Sequence, residues 1–121
     1  MLDVLLINPS ISYANLSEDM PDDNYHHYPP LGYLYLAATL RQKGFKVDVV
    51  DTSTNLTLNQ TLTLIKRKKP KIIGLSAMLA NMRGAYQLAI EIKKKIRPSP
   101  VIILGGHHVS SDPTIIKRFP C

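Results

Sequence analysis

Cysteine and tryptophan are nearly absent from this chain of 121 residues, which has no tryptophan and one cysteine, Cys121, at its last position. A single cysteine excludes a disulfide within the chain, which fits a reducing, cytoplasmic setting. No apolar run is long enough to cross a bilayer. The start of the chain, a strand-like run that stops at Asn8 and Pro9, lacks the basic region and the cleavage site of a signal peptide. At 45% hydrophobic residues, the chain has enough apolar material for the core of one domain.

Acidic residues are the minority, with 9 Asp and Glu against 15 Lys and Arg, for a net charge of +6. Such an excess raises the question of nucleic-acid binding. The basic residues are concentrated at 66–71 and 93–97, where the sequence pattern places the ends of two helices. Cations there complement the helix dipole. Because no helix-turn-helix or RNA-binding motif accompanies them, we expect no nucleic-acid partner; binding through these lysines would have to be salt-sensitive.

Four short apolar runs, at 3–8, 46–51, 72–75 and 101–104, are typical of strands. The third has no period-2 alternation, which favours a strand buried on both faces. A helix signal follows each run. Strand–helix units repeated four times, joined by right-handed crossovers, predict an α/β fold with a doubly wound parallel sheet. By analogy with flavodoxin-like sheets we expect the strand order 2-1-3-4, with the switch point between the first and third strands.

The predicted helices carry recognisable start and stop signals. Gly44 supplies a left-handed stop to the first helix. Thr57 and Gln60 have the spacing of a capping box for the second, Asn81 is a candidate N-cap for the third, and Asp112 with the following proline starts a fourth. The predicted inner faces are Tyr33, Leu36, Ala37 and Leu40 in the first helix, Leu58, Leu62 and Ile65 in the second, and Ala85, Ala89, Ile92 and Ile96 in the third.

Residues 10–30 form a long irregular stretch with four acidic residues and few aliphatic ones. A loop of this length is usually a functional flap or partly disordered, so we expect it to be mobile when nothing is bound. The fourth apolar run would lie at the edge of the sheet, where an apolar strand tends to associate. We therefore expect the chain to be a fragment of a longer protein that supplies a fifth strand, or to pair with a copy of itself at that edge.

Ligands of an open parallel sheet dock at the carboxyl ends of its strands. Three exit loops therefore hold the candidate binding residues: Asn8 and Pro9 after the first strand, Ser76, Ala77 and Met78 after the third, and Gly105, Gly106 and His108 after the fourth. The diglycine has two compatible interpretations, a turn that needs positive φ and a place where a ligand passes close to the backbone. No glycine-rich phosphate loop follows the first strand, which argues against ordinary ATP or NAD binding.

No catalytic set of nucleophile, base and acid is assembled by the pattern. The histidines come in two adjacent pairs, His26-His27 and His107-His108. Neighbouring side chains in an extended segment point apart, so each pair is a poor metal site, and we expect no metal ligand in the chain.

The segments 4–9, 29–37, 44–51, 73–78 and 104–108, in this order and spacing, resemble the N-terminal cobalamin-binding domain of radical SAM enzymes. That group includes the anaerobic magnesium-protoporphyrin IX monomethyl ester oxidative cyclase and many cobalamin-dependent methyltransferases. The resemblance covers essentially the whole chain.

The resemblance implies that the crevice of the sheet holds the nucleotide tail of cobalamin. Ser76 to Met78 match the family's Ser-x-Leu loop, with methionine in place of leucine, and Gly105 and Gly106 match its Gly-Gly pair. By that match Ser76 would hydrogen-bond the tail and the glycines would let it pass. The histidine that supplies cobalt with a ligand in other cobalamin domains is missing after the first strand, as is usual in this branch.

Radical SAM chemistry needs three closely spaced cysteines, so the resemblance places the 4Fe–4S cluster and S-adenosylmethionine in a catalytic domain outside this chain. The chain alone is then expected to catalyse nothing. An alternative is a docking or regulatory α/β domain that binds a protein partner or another nucleotide-like ligand. A response-regulator receiver is disfavoured, because Asn8-Pro9 and Ser76 stand where it needs acidic residues.

Overall fold

A computed structural model describes residues 1–9, 31–52, 56–77 and 82–106, together with residues 112, 114 and 117. Its elements are β1 (Val4–Asn8), α1 (Leu31–Gln42), β2 (Val47–Asp51), α2 (Leu58–Lys68), β3 (Ile72–Ser76), α3 (Met82–Lys95) and β4 (Val101–Gly105). The strands pair in parallel in the order β2-β1-β3-β4. The predicted α/β fold with sheet order 2-1-3-4 is confirmed. The predicted mobile loop at 10–30 and the candidate N-cap Asn81 lie outside the described residues.

The two faces of the sheet are covered unequally. One face packs against α2 and α3 in a core that includes Ile65, Ile73 and Ile92. Among the described residues, the other face carries a small cluster, in which Leu6 of β1 lies with Ala37 of α1. The register places Val101 and Ile103 of β4 on this α1 side, where they are 60% and 54% exposed. We call these two residues the open strip.

The first helix confirms three of its four predicted inner positions. Ala37 is buried, and Tyr33 and Leu40 pack against the same cluster. The prediction for Leu36 was wrong, because that side chain is 56% exposed. At about 100° per residue, Leu36 lies roughly 60° around the helix from Tyr33, at the border of the apolar arc. Gly44 ends the segment with φ of +92°, the left-handed stop that was predicted.

The second helix has the predicted capping box. The Thr57 hydroxyl accepts a hydrogen bond from the Gln60 amide at 3.1 Å, and the Gln60 side chain accepts one from the Thr57 amide at 2.9 Å. The predicted inner faces of α2 and α3 pack into or against the core as expected. Beyond β4, the Thr114 amide donates to the Asp112 carboxylate at 3.2 Å, as an N-cap interaction requires.

The basic clusters lie at the amino-terminal edge of the sheet. The last turns of α2 and α3 are basic, as predicted. The Leu2 amide donates to the Lys68 carbonyl at 3.3 Å, and the Lys93 ammonium donates to the Pro100 carbonyl at 3.5 Å. Leu2 lies just before β1, and Pro100 lies just before β4. The positive charge is therefore at the opposite end of the sheet from the candidate binding loops.

Asp3 joins three strands at that same edge. Its carboxylate accepts hydrogen bonds from the Lys46 amide at 2.9 Å and from the Lys71 ammonium at 3.1 Å. These two interactions, the Lys46 amide first, lower the pKa of Asp3 below its ordinary value. None of the described helices combines the length and hydrophobicity needed to pass through a membrane.

Gly74→Ala tests the packing of β1 against β3. A Cβ on Gly74 would lie 2.7 Å from the Leu6 Cδ2, and Leu6 is buried. We expect the free energy of unfolding to fall by about 1–3 kcal/mol in chemical denaturation. The matched control is Gly32→Ala, where a Cβ would have no neighbour within 4 Å; this change in a helix should leave stability unchanged or raise it. Equal stability of the two variants would show that the Leu6–Gly74 contact is not a packing constraint.

Asp3→Asn tests the amino-terminal edge. A carboxylate whose folded-state pKa lies below the ordinary value of 3.8 stabilises the fold above that pH. The contribution is lost as the pH falls through the lowered pKa. We expect the free energy of unfolding, measured against pH, to fall less steeply below about pH 4 in the variant than in the unmodified protein. If the free energies of unfolding of the two proteins fell equally steeply below about pH 4, the stabilising role of the Asp3 carboxylate would be contradicted.

Candidate functional site

Hydrogen bonds join the carboxyl ends of β1 and β2. The Asn8 side-chain amide donates to the Asp51 carboxylate at 3.1 Å. The Asn8 carbonyl accepts from both the amide and the hydroxyl of Thr52, at 3.0 and 2.8 Å. Pro9 is fully buried. Of the two residues predicted to contact a ligand here, Asn8 is thus engaged with β2 and Pro9 lies in the interior.

The exits of β3 and β4 are also directly paired. Ser76 faces Gly105 in the register, and the Ala77 amide donates to the Gly105 carbonyl at 2.8 Å. Ser76 is half-buried and, by strand alternation, projects to the α1 side. Ala77 projects to the other side, where it is fully buried and packs with Ala85 and Leu104. At the ends of β3 and β4, the side chain available to a ligand is therefore that of Ser76, and Ala77 contributes only its backbone.

The two glycines of the predicted diglycine have different reasons to be glycine. Gly106 has φ of +98°, and a Cβ there would lie 2.9 Å from the Ser76 hydroxyl and 3.0 Å from the Ala77 carbonyl oxygen. The turn itself therefore requires Gly106. A Cβ on Gly105 would have no described atom within 4 Å, and its φ is outside the left-handed region. Beside Ser76 and in line with the open strip, Gly105 therefore faces space that no described atom fills.

A tyrosine hydroxyl lies between the exits of β1 and β3. The Tyr33 hydroxyl donates to the Ile7 carbonyl at 2.8 Å and accepts from the Ser76 amide at 2.6 Å. Sequence reasoning placed Tyr33 in the inner stripe of α1 and missed this contact. One signal was available, because a tyrosine in a core-facing position needs a hydrogen-bond partner for its hydroxyl.

Two further residues at this edge were missed. The sequence pattern places Asp51 at the end of the second apolar run and does not single out Thr52, which is buried. Neither belongs to a motif that would have singled it out. Met78 and His108, predicted to contact the ligand, lie outside the described residues, so those contacts stay predictions. Within the described part of the chain, no group of three His, Cys, Asp or Glu side chains is placed to hold a metal ion.

Residues 24–118 match the sequence model of the B12 binding domain. The chain belongs to the B12-binding domain family. The sequence-based expectation of cobalamin as the cofactor of this domain is confirmed at the level of the family.

Two relatives of this B12-binding domain are named as methyltransferases. An uncharacterised methyltransferase of Pyrococcus horikoshii is 35% identical over 95 residues, which cover 77% of this chain and 20% of that protein. The cytidylyl-2-hydroxyethylphosphonate methyltransferase of Streptomyces wedmorensis is 24% identical over 123 residues, covering 87% of this chain and 22% of that protein. The chain thus spans about a fifth of the length of these curated relatives. Neither carries the name of a cyclase, and the resemblance to the cyclase group stays a prediction.

One solved structure shows the same fold. The cobalamin-dependent S-adenosylmethionine radical enzyme OxsB, with aqua-cobalamin and S-adenosylmethionine bound, matches with a TM-score of 0.73 and 22% sequence identity. The match covers 99% of this chain and 16% of the OxsB chain. The described strands and helices therefore have the architecture of one part of a much larger enzyme.

The glycine pair makes a contrasting prediction for stability. Gly106→Ala forces an L side chain into positive φ and against Ser76, so we expect a loss of about 1–3 kcal/mol in the free energy of unfolding. Gly105→Ala places its methyl group in open space, so we expect a change within about 0.5 kcal/mol. Thermal and chemical denaturation measure both. A Gly105→Ala protein as unstable as Gly106→Ala would mean that the space beside Ser76 is filled by the protein itself.

Proposed function

We propose that this B12-binding domain holds the nucleotide tail of cobalamin at the carboxyl ends of β3 and β4, within a radical SAM enzyme. The relatives favour a methyltransferase as the parent, and an oxidative cyclase is the other type that the sequence resemblance suggested. The observation that carries the proposal is the open space at Gly105, directly beside the Ser76 side chain.

The residues at this exit fit such a tail. A nucleotide tail has a polar sugar-phosphate portion and a flat aromatic base. Ser76 supplies a hydroxyl that has no hydrogen-bond partner among the described residues. Gly105 adds no side chain, and the apolar surface of the open strip continues from it along β4. A polar donor beside an apolar surface is the usual composition of a cofactor site.

In this arrangement the chain binds and orients, and the cobalt chemistry belongs to the cofactor when it is bound. Ser76 hydrogen-bonds the tail, and Gly105 provides the room for it. Asn8, Asp51 and Thr52 hold the adjoining exit rigid through their mutual hydrogen bonds. We place the 4Fe–4S cluster, S-adenosylmethionine and the substrate with the catalytic domain of the parent protein. The small share of the relatives that this chain spans supports that placement.

A docking or regulatory domain is the other candidate. The exposed residues of the open strip favour it, because an uncovered apolar strand at a sheet edge invites association. This candidate predicts no small-molecule binding and a protein partner, or a second copy of the chain, at β4. Self-association through β4 stays a prediction, which gel filtration of the purified protein measures.

Titration with hydroxocobalamin tests the proposal. We expect the purified protein to shift the corrin absorption spectrum and to retain the cofactor on gel filtration. Ser76→Ala removes one hydrogen bond and should weaken binding roughly threefold to tenfold. Gly105→Leu fills the open space and should weaken it by at least about tenfold. The matched control is Thr63→Ala on the exposed side of α2, whose hydroxyl bonds only within its helix; it should bind as the unmodified protein does.

Two results would count against the proposal. If the unmodified protein neither shifts the spectrum nor retains cobalamin, the docking function replaces the cofactor function for this chain. If the protein binds but Ser76→Ala and Gly105→Leu bind as well as Thr63→Ala, cobalamin is held elsewhere.

A further inference from the structure

We propose that Tyr33 is a positioning residue of the cofactor site, because its hydroxyl occupies the place of a hydrogen bond of the sheet and so holds the Ser76 loop apart from β1. The inference rests on the proposed function, since it assigns a role in cobalamin binding to a residue that is not itself a ligand contact.

The pattern of the β1–β3 ladder shows which bond is replaced. Val4 pairs with Ile72, and the Ile72 amide donates to the Asp3 carbonyl at 3.1 Å. In a parallel ladder this relation repeats every two residues. Two repeats further along, the Ser76 amide is the donor that should meet the Ile7 carbonyl.

The Tyr33 hydroxyl stands between that donor and that acceptor. It accepts from the Ser76 amide at 2.6 Å and donates to the Ile7 carbonyl at 2.8 Å. Each backbone group thus keeps a partner, as a buried peptide group must. The two strands no longer bond to each other at this point. The ladder accordingly ends at the pair of Ile7 with Leu75.

This separation is confined to one boundary of the sheet. The β1–β2 pairing continues to Asn8 and Asp51, and the β3–β4 pairing continues to Ser76 and Gly105. Only the boundary between β1 and β3 opens one residue early among the described pairs. In the order β2-β1-β3-β4 that boundary is the switch point, where an open α/β sheet takes up its ligand.

Packing alone does not account for the hydroxyl. The Tyr33 ring packs against the small cluster of Leu6 and Ala37, a role that phenylalanine would fill equally well. The hydroxyl adds the link between α1 and the backbone of Ser76. The Ser76 side chain lies beside Gly105. Because the Tyr33 hydroxyl fixes the Ser76 amide, it also fixes where the Ser76 side chain points.

Tyr33→Phe removes the link and keeps the ring. The Ser76 amide and the Ile7 carbonyl must then either bond directly, which closes the boundary, or lose a partner. In either case the Ser76 backbone is no longer held at its present distance from β1. Tyr35→Phe is the matched control, because Tyr35 lies on the same helix and is 75% exposed.

Two readouts on the intact protein test this. In a ¹H–¹⁵N spectrum recorded without cofactor, we expect the Ser76 amide signal to move in Tyr33→Phe and to stay in place in Tyr35→Phe. In hydroxocobalamin titrations, we expect Tyr33→Phe to bind roughly threefold to tenfold more weakly than Tyr35→Phe. A double-mutant cycle gives the specificity: in a Ser76→Ala background, Tyr33→Phe should cost little further affinity, because both changes act through one contact.

The outcomes separate the inference from the function on which it rests. Absence of cobalamin binding by the unmodified protein contradicts the proposed function and removes the positioning role with it, while the spectrum still reports whether Tyr33 holds Ser76. If the unmodified protein binds, equal affinities of Tyr33→Phe and Tyr35→Phe overturn the inference and leave the proposed function standing. Fully additive losses with Ser76→Ala overturn it too, because Tyr33 would then act through packing.

Discussion

The hydrogen bond that the Ala77 amide donates to the Gly105 carbonyl, at 2.8 Å, fixes the geometry on which the account of this B12-binding domain depends. It carries the β3–β4 ladder one residue past the end of β3, to the last residue of β4. Ser76 and Gly105 are consequently locked side by side on the α1 face. Without that bond, the serine hydroxyl and the unfilled space at Gly105 would be two unrelated features of two loops.

The three boundaries between neighbouring strands end in three different ways at the carboxyl edge. Between β2 and β1, the Thr52 and Asn8 contacts close the boundary. Between β3 and β4, the pairing continues to Ser76 and Gly105, and the Ala77 amide bonds the Gly105 carbonyl. Between β1 and β3, the Tyr33 hydroxyl separates the strands by one residue. The closed boundaries provide rigidity, and the separated one lies where the fold takes up its ligand.

The fold was predictable because its signals are local and mutually consistent. Apolar runs of strand length alternate with helix signals such as the Thr57–Gln60 capping box, and the crossover rule then leaves few topologies. The prediction for Leu36 was wrong because helical periodicity shows which side of α1 faces the sheet but not how wide an arc of the helix the sheet covers. α1 covers a narrower arc than the sequence stripe suggests, so a residue at the border of the stripe remains exposed.

The site was predictable as a pair of loops but not as a set of contacts. Strand exits and a diglycine indicated Ser76 and Gly105, and the structure places them in register. The separate roles of Gly105 and Gly106 depend on distances to Ser76 across the chain, which no local pattern contains. Pro9 and Ala77 are candidate binding residues because each directly follows a strand, and the structure shows that both side chains are buried.

The central claim is that cobalamin lies at the carboxyl ends of β3 and β4, and ¹H–¹⁵N chemical-shift mapping during titration with diamagnetic hydroxocobalamin measures this most directly. The account predicts that the largest changes fall on the amides of Ser76, Gly105 and Gly106. The amides of Asp3, Lys46 and Lys71, at the opposite edge of the sheet, should change little. Changes concentrated at that opposite edge, or spread evenly over the protein, would contradict it.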